Sequence, residues 1–129
     1  MSSESLHEPA EKLSPATIDR HRATVSLVEE LEAVDWYDQR IDAATDEELK
    51  AILRHNRDEE KEHACMVLEW LRRQDPALDQ QLRTYLFKGG DVMTAEAEAE
   101  GHDADESAGD GSSDGSLGIG DLRGEEAGP

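Results

Sequence analysis

The chain has 129 residues, a formal net charge of −19 at pH 7 and few aromatic side chains. This acidity is unfavourable for contact with nucleic-acid phosphates, and no apolar run approaches the ~18 residues of a membrane span. We therefore expect neither nucleic-acid binding nor membrane insertion. Cys65 is the one cysteine and cannot form an intrachain disulfide, which fits the cytosol. It is expected to be a small buried hydrophobe.

The first predicted helix follows a polar lead-in at residues 1–13. Ser14 suits the N-cap and Pro15 the first helical position, where a missing N–H has no cost. The pattern then predicts a helix to about Ala43. One helical stripe is expected to face a core. It contains Ala23, Leu27, Glu30, Val34, Tyr37 and Ile41.

Glu30 is the one acid in this stripe. Its stripe neighbours one turn away are uncharged, whereas Glu29 and Glu32 have charged neighbours. Of these three acids, Glu30 is therefore the one expected to point inward. An unpaired buried carboxylate is costly, so it should be paired, protonated or bound to a metal.

The second predicted helix follows a short turn at residues 43–46. Thr45 and Glu48 form a capping-box pattern at its start, and Asp75-Pro76 stops it after about Gln74. A turn this short makes the two helices antiparallel neighbours. They are expected to form a helical hairpin.

Glu60 and His63 occupy successive positions of the apolar stripe of this helix. Their i, i+3 spacing places them on one face, and carboxylate with imidazole suits Fe(II), Mn or Zn. Glu59 with His63 is an alternative pair. A Glu-x-x-His motif on its own is commonly a plain ion pair. The combination of this motif with a glutamate in the apolar stripe of a neighbouring helix, here Glu30, is much rarer by chance. Together these residues supply half of a carboxylate-bridged di-iron site, which two chains could complete.

The remaining elements are a short helix and an acidic tail. Asp75 and Pro76 are expected to open a third helix that ends at Gly89-Gly90. The helical domain, residues 14–90, is small enough to favour oligomerisation. Residues 91–115 are expected to be a disordered acidic linker, and residues 126–129 a tail. Between them, residues 116–125 form an apolar island suited to docking in a groove. Its anchors are Leu117, Ile119 and Leu122.

Long blocks of this sequence resemble the encapsulated ferritins. Residues 28–40, VEELEAVDWYDQR, are similar to the first helix of that family. Residues 55–64, HNRDEEKEHA, and residues 68–73 resemble its second helix. Residues 116–123 resemble the short peptide that directs cargo into an encapsulin shell. The resemblance covers most of residues 7–90 and this peptide.

The resemblance implies an all-α fold and an iron chemistry. The fold would be a ferritin-like antiparallel hairpin with a short third helix, and two subunits would complete a four-helix bundle. The activity would be ferroxidation, in which O2 oxidises Fe(II) at a di-iron centre. The ligands would be Glu30, Glu60 and His63 from each of two subunits.

Further residues and partners follow from the same resemblance. Glu29 and Glu32 would form an outer metal site beside Trp36, and Tyr37 would lie next to the centre. Homodimers would assemble into an open decameric ring inside a cytoplasmic encapsulin nanocompartment. Two alternatives remain at this point. One is a metal-binding module that holds Zn or Ca without redox turnover, and the other is a non-catalytic helical adaptor or cargo protein.

Overall fold

Among the residues that the computed structural model describes, the secondary structure consists of four helices and one 3-10 turn at Ala10–Lys12. The structure describes the backbone of residues 5–108 and the side chains of residues 5–101. The helices are α1 (Pro15–Ala43), α2 (Glu47–Gln74), α3 (Pro76–Tyr85) and α4 (Val92–Ala108). No strand occurs in the described backbone, which confirms the predicted all-α fold class. None of the described helices is long and apolar enough to cross a membrane.

Helix α1 begins where the sequence predicts. The Ser14 hydroxyl accepts a hydrogen bond from the Thr17 N–H at 3.1 Å, and Pro15 follows at the first helical position. Helix α1 has 29 residues and α2 has 28, so each is about 43 Å long. Because a three-residue connection joins two helices of nearly equal length, they pair along most of their extent as an antiparallel hairpin.

The start of α2 differs from the predicted capping box. Asp46, not Thr45, is the N-cap, and its carboxylate accepts from the Leu49 N–H at 2.8 Å. Aspartate is among the strongest N-cap residues, and its charge suits the positive end of the helix dipole. The helix therefore begins one residue later than the Thr45–Glu48 pattern indicates.

An ion-pair cluster fixes the exit from α2. The Arg72 guanidinium makes two bonds of 2.7 Å to the Glu69 carboxylate and also contacts Asp79 of α3. Arg73 binds Glu69 at 2.6 Å. Hydrogen bonds from Arg72 first, then from Arg73, lower the pKa of Glu69 to about 2. As predicted, Asp75 caps α3, accepting from the Ala77 and Leu78 N–H groups.

The third helix ends earlier than the sequence predicts. It stops at Tyr85, whereas the expected terminator was Gly89-Gly90. Phe87 takes a left-handed conformation with φ of 62°, which breaks the helical path before the glycines are reached. The Phe87 side chain is fully exposed.

Helix α4 occupies most of the segment that the composition predicts to be a disordered linker. Its Ala-Glu repeat explains the difference, because both residues are strong helix formers and outweigh the low apolar content. At its start the Thr94 hydroxyl donates to the Asp91 carboxylate at 3.2 Å. The rest of the predicted linker, up to residue 115, lies outside the described residues. The predicted targeting peptide at residues 116–125 and the tail at residues 126–129 also lie outside them.

The described chain falls into two units, one up to Leu82 and one from Arg83 onward. The first contains the hairpin, whose buried apolar side chains among residues 5–101 are Ile41, Ala64 and Leu71. Larger apolar side chains stay exposed on both long helices. On α1 these are Leu31 and Trp36, and on α2 they are Leu49, Ile52, Met66 and Trp70. Cys65 is also exposed, contrary to the sequence-based expectation, because its face of α2 is not covered.

Candidate metal centre

Three potential metal ligands converge midway along the hairpin. Glu30 comes from α1, and Glu60 and His63 come from α2. One ligand atom of each residue lies within 4.8 Å of the other two. His63 Nδ1 is 3.7 Å from Glu30 Oε2 and 3.7 Å from Glu60 Oε2. We call these three residues the ligand triad.

Burial of the ligand triad is uneven. The Glu30 and Glu60 side chains are 24% and 25% exposed, whereas His63 is 45% exposed. Neither carboxylate forms an ion pair with a lysine or arginine among the described residues. Apart from His63, no basic side chain of the described residues is paired with these two half-buried carboxylates, so the arrangement suits a bound cation.

The chemistry of the donor set fits a divalent transition metal. Two carboxylates and an imidazole suit Fe(II), Mn or Zn, and three protein donors leave further coordination positions open. A site for Ca alone would use oxygen ligands only. Since His63 is the most exposed of the three, the open side of the triad faces outward from the hairpin.

The alternative pairing of Glu59 with His63 is not formed. Glu59 Oε1 instead lies 3.0 Å from His55 Nε2, on an exposed part of α2. The backbone therefore selects Glu60 as the companion of His63, in agreement with the spacing argument. Glu62, between them in sequence, is exposed and lies outside the triad.

The other predicted site residues do not join the triad. Glu29 and Glu32 are exposed on α1, and Trp36 is 50% exposed. Trp36 lines an open depression of about 400 Å³ with Gln39 and Arg40. Tyr37 is half-buried, with the Arg40 guanidinium 5.4 Å from the centre of its ring. The targeting residues Leu117, Ile119 and Leu122 lie outside the described residues.

One contact near the triad was not foreseen from the sequence. Arg57 of α2 donates from Nη1 to Asp38 of α1 at 3.0 Å and from Nε to Asp58 at 3.2 Å. Hydrogen bonds to Asp38 and then Asp58 raise the pKa of Arg57. The sequence signal that could have indicated this contact is the opposite charge of Asp38, which lies on the other helix of the predicted antiparallel hairpin.

Comparisons with known proteins give this geometry a family context. A model of the EncFtn-like protein family matches residues 5–89. The "Encapsulated ferritin-like protein" of Rhodospirillum rubrum is 60% identical over 131 residues, covering 98% of this chain and 93% of the relative. The "Encapsulin nanocompartment cargo protein EncC" of Myxococcus xanthus is 44% identical over 52 residues, 40% of each chain.

A solved structure supports the fold. The crystal structure of a protein from Nitrosomonas europaea superposes with a TM-score of 0.67 at 60% sequence identity. The match covers 68% of this chain and 97% of that chain.

Proposed function

This chain belongs to the EncFtn-like family, and we propose that it is a ferroxidase whose di-iron site forms between two copies of the chain. Fe(II) and O2 are its substrates. The proposal depends on one observation above all, the convergence of Glu30, Glu60 and His63 with ligand atoms within 4.8 Å of one another.

The number of donors supports a site shared by two chains. One chain supplies two carboxylates and one imidazole, and two chains supply four carboxylates and two imidazoles. That is the composition of carboxylate-bridged di-iron sites in four-helix bundles. The exposure of His63 leaves the triad accessible to a second copy.

The apolar surface of the hairpin also supports pairing. Leu31 and Ile52 remain 55% and 51% exposed, and Met66 remains 63% exposed. Stable homodimers bury exposed apolar surface of this kind, because its removal from water is favourable. A homodimer would therefore cover this surface and complete the bundle. Further assembly into a decameric ring is part of the proposal.

In the reaction, the residues of the chain bind and orient the substrate. Glu30 and Glu60 from both copies, four carboxylates in all, would hold two Fe(II) ions and neutralise their charge. Each Fe(II) gives up one electron. Two Fe(II) ions with two protons thus reduce O2 to hydrogen peroxide, and the Fe(III) leaves for storage. Glu29 and Glu32, exposed near Trp36, are proposed to bind incoming metal, and Tyr37 to lie beside the centre.

The proposed store is an encapsulin shell. Two relatives are named for encapsulation, one as an encapsulated protein and one as nanocompartment cargo. In this chain the apolar anchors Leu117, Ile119 and Leu122 are proposed to dock the chain to the shell protein. The location would then be the interior of that compartment.

The central test is aerobic oxidation of Fe(II), followed by absorbance and O2 uptake. Glu30→Ala and His63→Ala are expected to lose rapid oxidation. Glu62→Ala is the matched control, because it removes an exposed carboxylate between the two α2 ligands. Activity of the two ligand variants equal to the parent would refute the site.

The alternatives predict different results. A module that holds Zn or Ca would bind metal tightly but consume no O2 when Fe(II) is added. A helical adaptor would keep its oligomeric state and contain no metal by elemental analysis. The three outcomes are therefore separable with one preparation.

A further inference from the structure

The Arg57–Asp38 ion pair joins the two long helices. The bond from Arg57 Nη1 to Asp38 Oδ1 is 3.0 Å long and links residues 19 positions apart. Arg57 is 24% exposed, while Asp38 and Asp58 are more than half exposed. Because Nε is bonded to Asp58 on its own helix, the guanidinium is held in one orientation as it reaches across to Asp38.

The ion pair lies between the ligand triad and the turn that joins the two long helices. Arg57 precedes Glu60 by three residues, about 4.5 Å at 1.5 Å per residue. Asp38 follows Glu30 by eight residues, about 12 Å along α1. Since the helices are antiparallel, both steps lead toward the same turn. The ion pair therefore lies on the turn side of the triad, about one helical turn from it on α2 and about two turns from it on α1.

Apolar packing alone constrains the register of these helices weakly. Ile41, Ala64 and Leu71 are the buried apolar side chains of the described hairpin, and apolar contact is not directional. Sliding α1 by one residue along α2 would move Glu30 by about 1.5 Å. A metal site tolerates a displacement of only about 0.5 Å. The three-residue connection at residues 44–46 limits such sliding at one end of the hairpin, and a directional contact between the helices would limit it closer to the triad.

We propose that Arg57 and Asp38 are positioning residues that fix the register of α1 against α2 and thereby hold Glu30 at ligand distance from Glu60 and His63. The inference rests on the proposed function, because it takes the triad to be the iron site. Neither residue belongs to the triad. Both act through the placement of Glu30, so their loss changes the geometry of the site and leaves its ligands present.

Co(II) binding to the full-length protein tests this inference. Co(II) binds to similar ligands and does not turn over with O2 during a binding titration. Its visible spectrum is sensitive to the geometry of the ligands. Arg57→Gln is expected to weaken Co(II) binding about tenfold, the lower end for residues supporting a metal site, and to change the spectrum. Asp38→Asn should do the same. The double variant should lose no more Co(II) affinity than either single variant, because each substitution removes the same Arg57–Asp38 interaction.

Two variants separate positioning from simple stabilisation. Arg57→Lys keeps the charge and a donor, so it should restore most of the affinity and the parent spectrum. Asp58→Asn keeps a side-chain oxygen that can accept from Arg57 Nε and leaves the bond between the helices in place, so it should resemble the parent. A purely structural effect would lower the melting temperature in Arg57→Gln without altering the spectrum of the bound metal, and that result would overturn the inference.

The matched control is Arg54→Gln. Arg54 is exposed one turn earlier on α2 and makes no ion pair with the described residues, so its loss removes the same charge without a contact. Equal Co(II) affinity and equal spectra for Arg57→Gln and Arg54→Gln would refute the positioning role. For Fe(II) oxidation, Arg57→Gln should raise the KM for Fe(II) more than it lowers kcat.

The same experiments distinguish failure of this inference from failure of the proposed function. If His63→Ala is inactive and Arg57→Gln behaves like the parent, the positioning role alone is wrong. If His63→Ala also oxidises iron like the parent, the proposed function is wrong and the inference fails with it.

Discussion

Glu30 Oε2 and His63 Nδ1 lie 3.7 Å apart across the two long helices. That separation is too long for a hydrogen bond. It is also within the range of about 3 to 4.2 Å expected for two donors that each lie about 2.1 Å from one ion. The carboxylate and the imidazole therefore face each other at a spacing that suits a shared metal better than a direct contact.

Shortening Glu60 is expected to impair the site without removing its charge. Glu60→Asp withdraws the carboxylate by one methylene, about 1.5 Å, so it can no longer reach an ion held by Glu30 and His63. We expect Fe(II) oxidation to fall at least about tenfold, measured by initial rates at fixed oligomeric state. Glu59→Asp is the control, because Glu59 pairs with His55 away from the triad. Equal rates for both variants would contradict the assignment of Glu60.

Metal is expected to promote association of the chains. If the site is complete only between two copies, metal binds the dimer better than the monomer and shifts the equilibrium by mass action. Sedimentation velocity with and without Zn(II) should show more dimer or larger oligomer with the metal. His63→Ala should associate to the same extent in both conditions. A metal effect that persists in His63→Ala would place the responsible site elsewhere.

The N-cap at Asp46 gives a test of the boundary of α2. Asp46→Ala leaves the Leu49 N–H without its side-chain acceptor and is expected to cost about 1 kcal/mol in the free energy of unfolding. Thr45→Ala should cost much less, because the Thr45 side chain is not the cap in the structure. Urea denaturation measures both values. A larger loss of unfolding free energy for Thr45→Ala than for Asp46→Ala would support the Thr45–Glu48 capping box predicted from the sequence.

Acid is expected to weaken the cluster at the exit from α2. The folded pKa of Glu69 is about 2, below its ordinary value of 4.5. Its contribution to stability is therefore complete above pH 4.5 and is lost as the pH falls through about 2. The melting temperature of the parent should exceed that of Glu69→Gln at pH 6, and the difference should disappear near pH 2. Because Glu69 is 40% exposed, 1 M NaCl should reduce the difference at pH 6.

Removal of residues 116–123 separates targeting from chemistry. The chain without residues 116–123 keeps Glu30, Glu60 and His63, so its rate of Fe(II) oxidation in solution should match that of the parent. Co-expressed with an encapsulin shell protein, it should no longer copurify with assembled shells. Replacement of Leu117, Ile119 and Leu122 by serine should reproduce the loss at full length. Retained loading in both variants would assign targeting to another segment.

Features fixed by local chemistry could be predicted from the sequence. Ser14 and Asp75 cap their helices as expected because a cap depends on a side chain and an N–H two or three residues away. Helical periodicity selected Glu30 over Glu29 and Glu32 because the two opposite sides of a helix differ in their neighbours. The structure brings Glu30 close to Glu60 and His63.

Features that depend on competition or distance were harder to predict. The start of α2 differs by one residue because Thr45 and Asp46 are both good caps and only one carries a charge. The low apolar content of residues 91–115 predicts disorder, but the helix propensity of Ala and Glu outweighs it over Val92–Ala108. The Arg57–Asp38 bond depends on side-chain rotamers across two helices, and no local pattern encodes it.

The small number of buried side chains has a consequence for the life of the chain in a cell. With Ile41, Ala64 and Leu71 as the buried apolar residues of the described hairpin, a newly made chain has little to keep its helices closed. Segments that open often are cleaved by proteases at a rate set by the open population. An unpaired copy should therefore be degraded sooner than a paired one, so that surplus chains are removed and the amount that survives follows the rate of pairing.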